Sequence, residues 1–285
     1  MKKLMFCTLL LLNCVCLNGM VYDIPNAPID VIIPSTEKDL DTLELCIEGI
    51  RYNCDQVRRI IVVSNKQLTT KAEWFDEKLF PFSKEEVAYY LAGCDEAKAK
   101  EFLVSPQTRI GWYLQQLIKL YAPYVIPEIS SNVLHLDSDT IFLNPICFLN
   151  DQGEALYNPG TEYHMPYFDH MARLLPGERR MFPEHSGITH HMLLQKPILD
   201  DLFQAVELHH HMDLWKAYCL SINPQELYLS GSASDEVYFN FAFARTNQVH
   251  LRFFKWDNIP SLKCLSKYKK LRYHFVSCHS WSRTD

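Results

Sequence analysis

Apolar and polar positions follow two different periods along this chain, and the switches between them mark its elements. Residues 29–33 (Ile-Asp-Val-Ile-Ile) are too continuously apolar for a strand with one wet face, so they predict a strand covered on both sides. Pro34-Ser35-Thr36 ends it. Over residues 37–50, Leu40, Leu43, Ile47 and Ile50 recur at helical spacing behind Thr36-x-x-Asp39, a capping-box pattern. Residues 59–63 (Arg-Ile-Ile-Val-Val) predict a second strand that stops at Ser64-Asn65-Lys66. Strand, helix, strand in that order implies a parallel pair joined by a right-handed crossover.

The middle of the chain is helical by the same test. Ser83-x-x-Glu86 is a second capping box, with a short helix expected as far as Leu91. A longer helix is expected over residues 107–121. On its wheel Ile110, Leu114, Leu117 and Tyr121 form one stripe, read as core. Arg109, Trp112, Gln115, Gln116 and Lys119 occupy the other side, either a solvated face or one that meets an anion. Residues 132–136, 162–168 and 187–194 then read as strands, and 197–211 as a helix. Another helix follows Ser234, and 248–254 and 270–277 read as late strands. No stretch has the composition of a long linker, so the expectation is a single α/β domain, a sheet flanked by helices.

The strand at 132–136 delivers chemistry. Asn132-Val133-Leu134-His135-Leu136 runs into Asp137-Ser138-Asp139, and Thr140-Ile141-Phe142-Leu143 is apolar again. Alternate side chains of an extended strand share a face, so Asp137 and Asp139 are expected to reach toward one point beyond the sheet. Two hard oxygen ligands there suit Mg²⁺ or Mn²⁺, which leave positions open for a substrate's phosphate oxygens. The competing reading is a solvated turn. Apolar flanks weigh against it, because carboxylates at a buried edge require a cation or donors nearby. Residues 34–36, 64–66 and 137–139 all lie at carboxyl ends of strands, where ligands bind in parallel sheets.

Composition narrows the classes. With 285 residues, 48% hydrophobic and 13% aromatic but only 9 Gly, the chain can bury a large core and is neither disordered nor fibrous. Net charge is −6, which leaves no basic footprint for nucleic acid. The local exception is Lys263, Lys267, Lys269, Lys270 and Arg272, a solvated edge or a surface that meets anionic lipid or phosphate. Lys2 and Lys3 precede an apolar run over residues 4–12 and the small Gly19, the layout of a signal peptide over residues 1–19. The run is short for a membrane span, so export through the secretory pathway is expected, with an uncleaved membrane anchor as the alternative. Cys46, Cys54, Cys94, Cys147, Cys219, Cys264 and Cys278 are odd in number, widely spaced and without CxxC. That favours small core residues, with one bridge or more if the protein is exported.

The remaining constellations each have two readings. His209-His210-His211 ends a helix, where cation–dipole attraction explains it. Of His190 and His191 only one can face a site, because neighbours on a strand point oppositely. His274 and His279 flank the aromatic segment Tyr273 to Trp281, and an imidazole there is a candidate third ligand beside the two aspartates. Ser234-Asp235-Glu236 opens a helix, where acidic residues favour the dipole or supply a general base. There is no HExxH, GxSxG, Walker A or GxGxxG, so a metalloprotease, esterase, P-loop NTPase or dinucleotide oxidoreductase finds no support.

Asp137-Ser138-Asp139-Thr140-Ile141 is similar to the first motif of haloacid-dehalogenase-type phosphatases, whose first Asp is a nucleophile. Their later Gly-Asp-x-x-x-Asp cluster is missing here, and a strand–helix–strand unit precedes the motif. The wider resemblance is to glycosyltransferases of the GT-A fold, and among them to glycosyltransferase family 8. It is carried by the strand and turn at 29–35, by Gly111 to Leu120, and by Asp137-Ser138-Asp139 with Asn144-Pro145. Gly187-Ile188-Thr189-His190-His191-Met192-Leu193-Leu194, Asp235 to Asn240 and His274 to Trp281 extend it. The run Gly111-Trp112-Tyr113-Leu114-Gln115-Gln116-Leu117-Ile118-Lys119-Leu120 also resembles a family of bacterial proteins of uncharacterised function.

The resemblance implies a GT-A-type, Rossmann-like mixed sheet over residues 20–285. It implies transfer of a sugar from a nucleotide-diphosphate sugar to a hydroxyl acceptor on a glycan, lipid or protein. Mn²⁺ or Mg²⁺ would be held by Asp137, Asp139 and either His279 or His274. Arg109 or Lys119 would meet the diphosphate, with Gln115 or Gln116 donating hydrogen bonds. Ser35 and Asn65 would contact the nucleoside, and Asp235 or Glu236 the sugar or acceptor. The non-catalytic alternative is an exported binding protein on a degenerate transferase fold.

Overall fold

A computed structural model of the protein describes residues 19–284; the expected signal segment, 1–18, lies outside the described residues. Strand β1 (Ile29–Pro34) leads into helix α1 (Leu40–Asn53), strand β2 (Val57–Ser64) and the short β3 (Glu73–Asp76). Helices α2 (Lys84–Leu91), α3 (Glu96–Val104) and α4 (Ile110–Val125) precede β4 (Asn132–Leu136) and β5 (Thr140–Phe142). Then come β6 (Ala155–Tyr157), α5 (Met165–Leu174), β7 (His191–Gln195), α6 (Lys196–His210), α7 (Leu214–Leu220) and α8 (Ser234–Arg245). The described chain closes with β8 (Val249–Leu251), β9 (Trp256–Asn258), α9 (Leu265–Lys270) and β10 (Phe275–Ser277).

The main sheet has the order β3-β2-β1-β4-β7, parallel throughout except for β7. Every residue of β1 and β4 is buried, as continuously apolar strands require when helices cover both faces. After β1 the chain steps outward through β2 and β3, and then returns to the other side of β1 as β4. The order therefore reverses between β1 and β4, which opens a crevice beyond their carboxyl ends. Two smaller sheets, β5-β10-β9 and β6-β8, extend the molecule on that side. The only acidic residue in β1, Asp30, points to the opposite end, where Arg58 (2.6 Å) and the Ser130 backbone N–H (2.8 Å) neutralise it.

Helix α1 lies very close to β5. A Cβ added at Gly49 would sit 2.8 Å from the Phe142 carbonyl oxygen, so only glycine permits this approach. The side chain of Asn53, one turn on, donates to the same carbonyl at 3.0 Å.

Local patterns held where the physics was local. Ser83 and Glu86 form the full reciprocal capping box ahead of α2. Thr36 makes no cap; a 3-10 turn at Glu37–Asp39 starts α1 instead and buries Asp39 against the crevice. The expected strand at 162–168 is mostly helix: Pro166 sits in its first turn, and Tyr167, His170, Met171 and Leu174 are its buried face, a 3.6-residue period. The expected strand at 187–194 begins only at His191, because His190 adopts a left-handed φ of 65° that breaks the extended run. The run at 270–277 shortens to Phe275–Ser277 because α9 and a left-handed Arg272 occupy its start. Strand β3 and helices α3 and α7 were not foreseen. Cys46, Cys54, Cys94, Cys147, Cys219 and Cys264 carry free thiols, three of them buried as small core residues.

Candidate functional site

A cleft of about 830 Å³ fills the crevice between β1 and β4. Its floor is built by α4, β4 and the first turn of α8. Residues three and four apart share a helix face, so Gln115, Gln116 and Lys119 point together from α4. Residues two apart share a strand face, so His135 and Asp137 point together from the end of β4. Lys119 lies 3.0 Å from Asp137 and 3.6 Å from Asp235. His135 Nε2 donates to Asp235 Oδ1 at 3.1 Å, and Ser234 Oγ donates to the same oxygen at 3.1 Å. Gln116 Oε1 accepts from the Ser234 N–H at 2.9 Å and is the alternative acceptor for the Ser234 hydroxyl proton, also at 2.9 Å, while Gln115 donates to Asp137 at 3.1 Å.

This floor is deeply buried: Lys119 is 3% exposed, Asp235 5% and His135 1%. Burial works against each charge, yet mutual attraction prevails. Lys119 is pushed above its ordinary value by Asp137 and Asp235. Burial raises the pKa of Asp137, but Lys119 and His190 outweigh it and hold the carboxyl well below the usual range. In Asp235 burial is likewise overcome, by His135 and Lys119, and the carboxyl falls to about 2. Of the two readings of this α4 face, solvated or meeting an anion, the solvated one fails for Gln116 and Lys119, which are buried on the floor.

The rim is different. Asp139 is presented by a turn rather than by strand alternation: Thr140 N donates to Asp137 O at 3.0 Å. The chain beyond β10 docks on this turn through Cys278 N to Asp139 O (2.9 Å), and so carries His279 to Asp139, with Nδ1 2.9 Å from Oδ2. The other carboxylate oxygen, Oδ1, is buried with no hydrogen-bond partner. The Trp281 ring stacks on His279, and His190 lies against its other side with ring centroids 4.7 Å apart.

Not every expected residue arrives. Ser35 lines the cleft with its hydroxyl buried and unpartnered. Asn65 is exposed and lies outside the cleft, because Ser64 Oγ donates to Lys66 O and turns the chain away. His274 is held elsewhere: its Nδ1 accepts from Lys255 N at 3.0 Å and its ring packs on Phe254, so His279 is the histidine beside the aspartates. Glu236 points behind the floor, where it accepts from Gly187 N (3.2 Å) and Asn240 (2.7 Å). Burial raises its carboxyl to about 7 despite those two donors. Gly187 is needed for this contact, since a Cβ there would lie 2.6 Å from the Asp235 carbonyl. Arg109 reaches the far end of the cleft, donating to Ser230 Oγ at 2.6 Å beside Trp112.

The sequence assigns no role to two histidines that meet the floor aspartates, His135 and His190. His135 was detectable, since it precedes Asp137 by two strand positions. His190 was half-detected: it faces the cleft 3.6 Å from Asp137, whereas His191 is buried among Phe142, Phe148 and Phe275.

Among the described residues no three His, Cys, Asp or Glu side chains are arranged to hold a metal ion. The donor chemistry nonetheless fits a hard cation at the rim. Asp139 offers an unpartnered oxygen and His279 a nitrogen, while Asp137 has one oxygen committed to Lys119. Mg²⁺-type sites of this kind are completed by a substrate's phosphates and water. Among the described residues no helix is long and apolar enough to cross a membrane.

A comparison with curated proteins finds no match in sequence. In three dimensions the chain is similar to apo mouse xyloside xylosyltransferase 1 (8% identity, covering 91% of this chain and 99% of that one, TM-score 0.44). It is also similar to the apo bifunctional glycosyltransferase WbbM (12% identity, 91% of this chain and 47% of that one, TM-score 0.45). A third is an active-site mutant of LgtC (12% identity, 87% and 86%, TM-score 0.44). In sequence, residues 29–258 match the family of unknown function DUF6492, and the chain belongs to that family.

Proposed function

We propose that this protein is a GT-A-type glycosyltransferase that moves a sugar from a nucleotide-diphosphate sugar to a hydroxyl acceptor with the help of Mn²⁺ or Mg²⁺. One observation carries the reading: at the strand-order switch point, a buried unpartnered carboxylate oxygen of Asp139 stands beside His279 and above a buried ammonium, Lys119. Asp139, His279 and Asp137 would hold the cation, Asp137 giving up its 3.6 Å contact with His190 to do so. Bound there, it would act as a Lewis acid toward the departing diphosphate.

The chain's own residues supply the rest. Lys119 holds Asp137 and Asp235 in fixed places from the start, so the floor needs no reorganisation when a diphosphate departs. The Ser35 hydroxyl, unpartnered at the end of β1, is placed for a nucleoside contact. Asp235, oriented by His135 and Ser234, faces the sugar or acceptor hydroxyl. Glu236 supports the segment around Gly187 and does not enter the chemistry. The expected N-terminal signal or anchor would place this activity in a secretory compartment or at a membrane. A phosphatase using Asp137 as nucleophile is disfavoured, since Lys119 and Gln115 already engage one of its oxygens.

The test is release of free nucleotide diphosphate from a panel of nucleotide-diphosphate sugars with Mn²⁺, alongside Asp139→Asn. Release from one donor, lost in the variant, is the expected result. Neither release nor metal-dependent binding with any donor would overturn the proposal.

A further inference from the structure

The basic cluster near the C-terminus has no part in the cleft chemistry. Residues 252–273 contain seven Lys or Arg and one carboxylate, Asp257, in a chain whose net charge is −6. Lys255, Lys263, Lys267, Lys269, Lys270 and Arg272 are exposed, and among the described residues none of them pairs with a carboxylate within 4.0 Å. Elsewhere on the surface Lys71 holds Glu44 and Glu48 and Lys216 holds Asp213, while Lys38, Lys78, Lys84 and Lys100 are scattered and pair with no carboxylate among the described residues; the present stretch gathers six such cations. Attraction to the carboxyl end of α9 accounts for one or two of these cations, but not for six.

The fold gathers the cluster. The left-handed turn at Arg272 folds the chain back, so that Lys255 Nζ donates to Leu271 O at 3.0 Å and His274 N to Lys255 O at 2.7 Å. Cations from the start of β9 and the end of α9 thereby share one face. Large apolar side chains stand exposed in the same region, Phe253 at 64% and Leu271 at 49%. The face also adjoins the cleft mouth. Trp256 and Asn258 of β9 line the cleft, as does Trp281, which is 84% exposed. Thr284 N donates to Pro260 O at 3.0 Å, tying the segment that carries Trp281 to the start of the basic stretch.

We propose that this face seats the protein on an anionic membrane surface. Lys255, Lys267 and Lys270, the last two three apart on α9, would meet lipid phosphates, Leu271 and Phe253 would enter the headgroup region, and the cleft mouth would lie next to the bilayer. Unpaired cations beside exposed apolar residues match both components of such a surface, charge and an apolar boundary, in a chain otherwise acidic. A soluble polyanion would engage only the first component. The inference does not depend on sugar transfer.

The experiment is co-sedimentation of the full chain with phosphatidylcholine vesicles, with or without about one-third phosphatidylglycerol. The K267Q/K270Q variant separates the patch from the N-terminal segment, whose Lys2 and Lys3 also favour anionic lipid and are unchanged in it. Binding is expected to need phosphatidylglycerol and to weaken as salt rises. It should fall about 25-fold in K267Q/K270Q, at about fivefold for each neutralised lysine. Both side chains are exposed, so the variant's thermal unfolding should match the parent's. Equal binding to both vesicle types, or an unaffected K267Q/K270Q, would overturn the proposal. Retention on heparin without vesicle binding would also overturn it, in favour of a soluble polyanion.

Discussion

The floor and the rim of the cleft both set carboxylates beside basic partners, and leave them in opposite states. On the floor, Lys119 serves Asp137 and Asp235 together, with His135, Ser234 and Gln115 filling further positions. On the rim, Asp139 meets His279 through one oxygen and keeps the other buried and unpartnered. Each floor carboxylate has a basic partner before anything binds, so the floor's first role is to hold α4, β4 and α8 together. The rim is incomplete, so that is where a ligand's presence should register.

The largest expected effect belongs to the floor. Lys119→Met leaves two buried carboxylates without their cation and should cost about 3–5 kcal/mol of unfolding free energy, read by urea denaturation. A loss below about 1 kcal/mol would show that the carboxylates neutralise each other by sharing a proton, and the contrast would fail.

Glu236, just behind the floor, sharpens the contrast through pH. Its folded value of about 7 lies above the ordinary 4.5, so the folded state holds a proton that the unfolded state has released between those values. Its contribution is therefore fully present below about pH 4.5 and lost as pH rises through about 7. Glu236→Gln should remove this dependence and stabilise the protein at pH 8, relative to pH 5, by on the order of 1–3 kcal/mol. The check is denaturation of both proteins across that range; an unchanged pH profile would refute it.

The smallest stability effect belongs to the rim. Asp139→Asn should change unfolding free energy by about 1 kcal/mol or less, while abolishing Mn²⁺-dependent binding of a nucleotide diphosphate in calorimetry. Destabilisation as large as that of Lys119→Met would make the rim structural too.

How much of this was legible depended on whether the cause was local. The first strand, helix and second strand followed from periodicity, and Ser83 capped as read, because each depends on neighbours a few residues apart. The Asp-x-Asp segment was found for the right reason, its apolar flanks, although a turn and not strand alternation sets the two side chains. Lys119 reads equally as surface or as an anion contact on a helical wheel, because no wheel shows that Asp137 and Asp235 will come to meet it. His279 could not be told from His274, since the backbone bond from Cys278 to the Asp139 turn decides between them. Glu236 looked as available as Asp235, its neighbour on the helix, until the Gly187 segment was seen to occupy it.

That docking of the segment beyond β10 has a consequence in time. The Asp139–His279 pair joins positions 140 residues apart, whereas the helix and strand that bring Lys119 to Asp137 are near neighbours along the chain. Contacts closing so long a loop form late, and they are the first released when a protein opens locally. The Lys119–Asp137 half of the floor therefore closes early, whereas Ser234 and Asp235 join it across a loop of 118 positions, nearly as long as the rim's. Local release of the segment beyond β10 would take His279 from Asp139 and leave Lys119 on Asp137, so the proposed cation site would be lost while the floor stays in place.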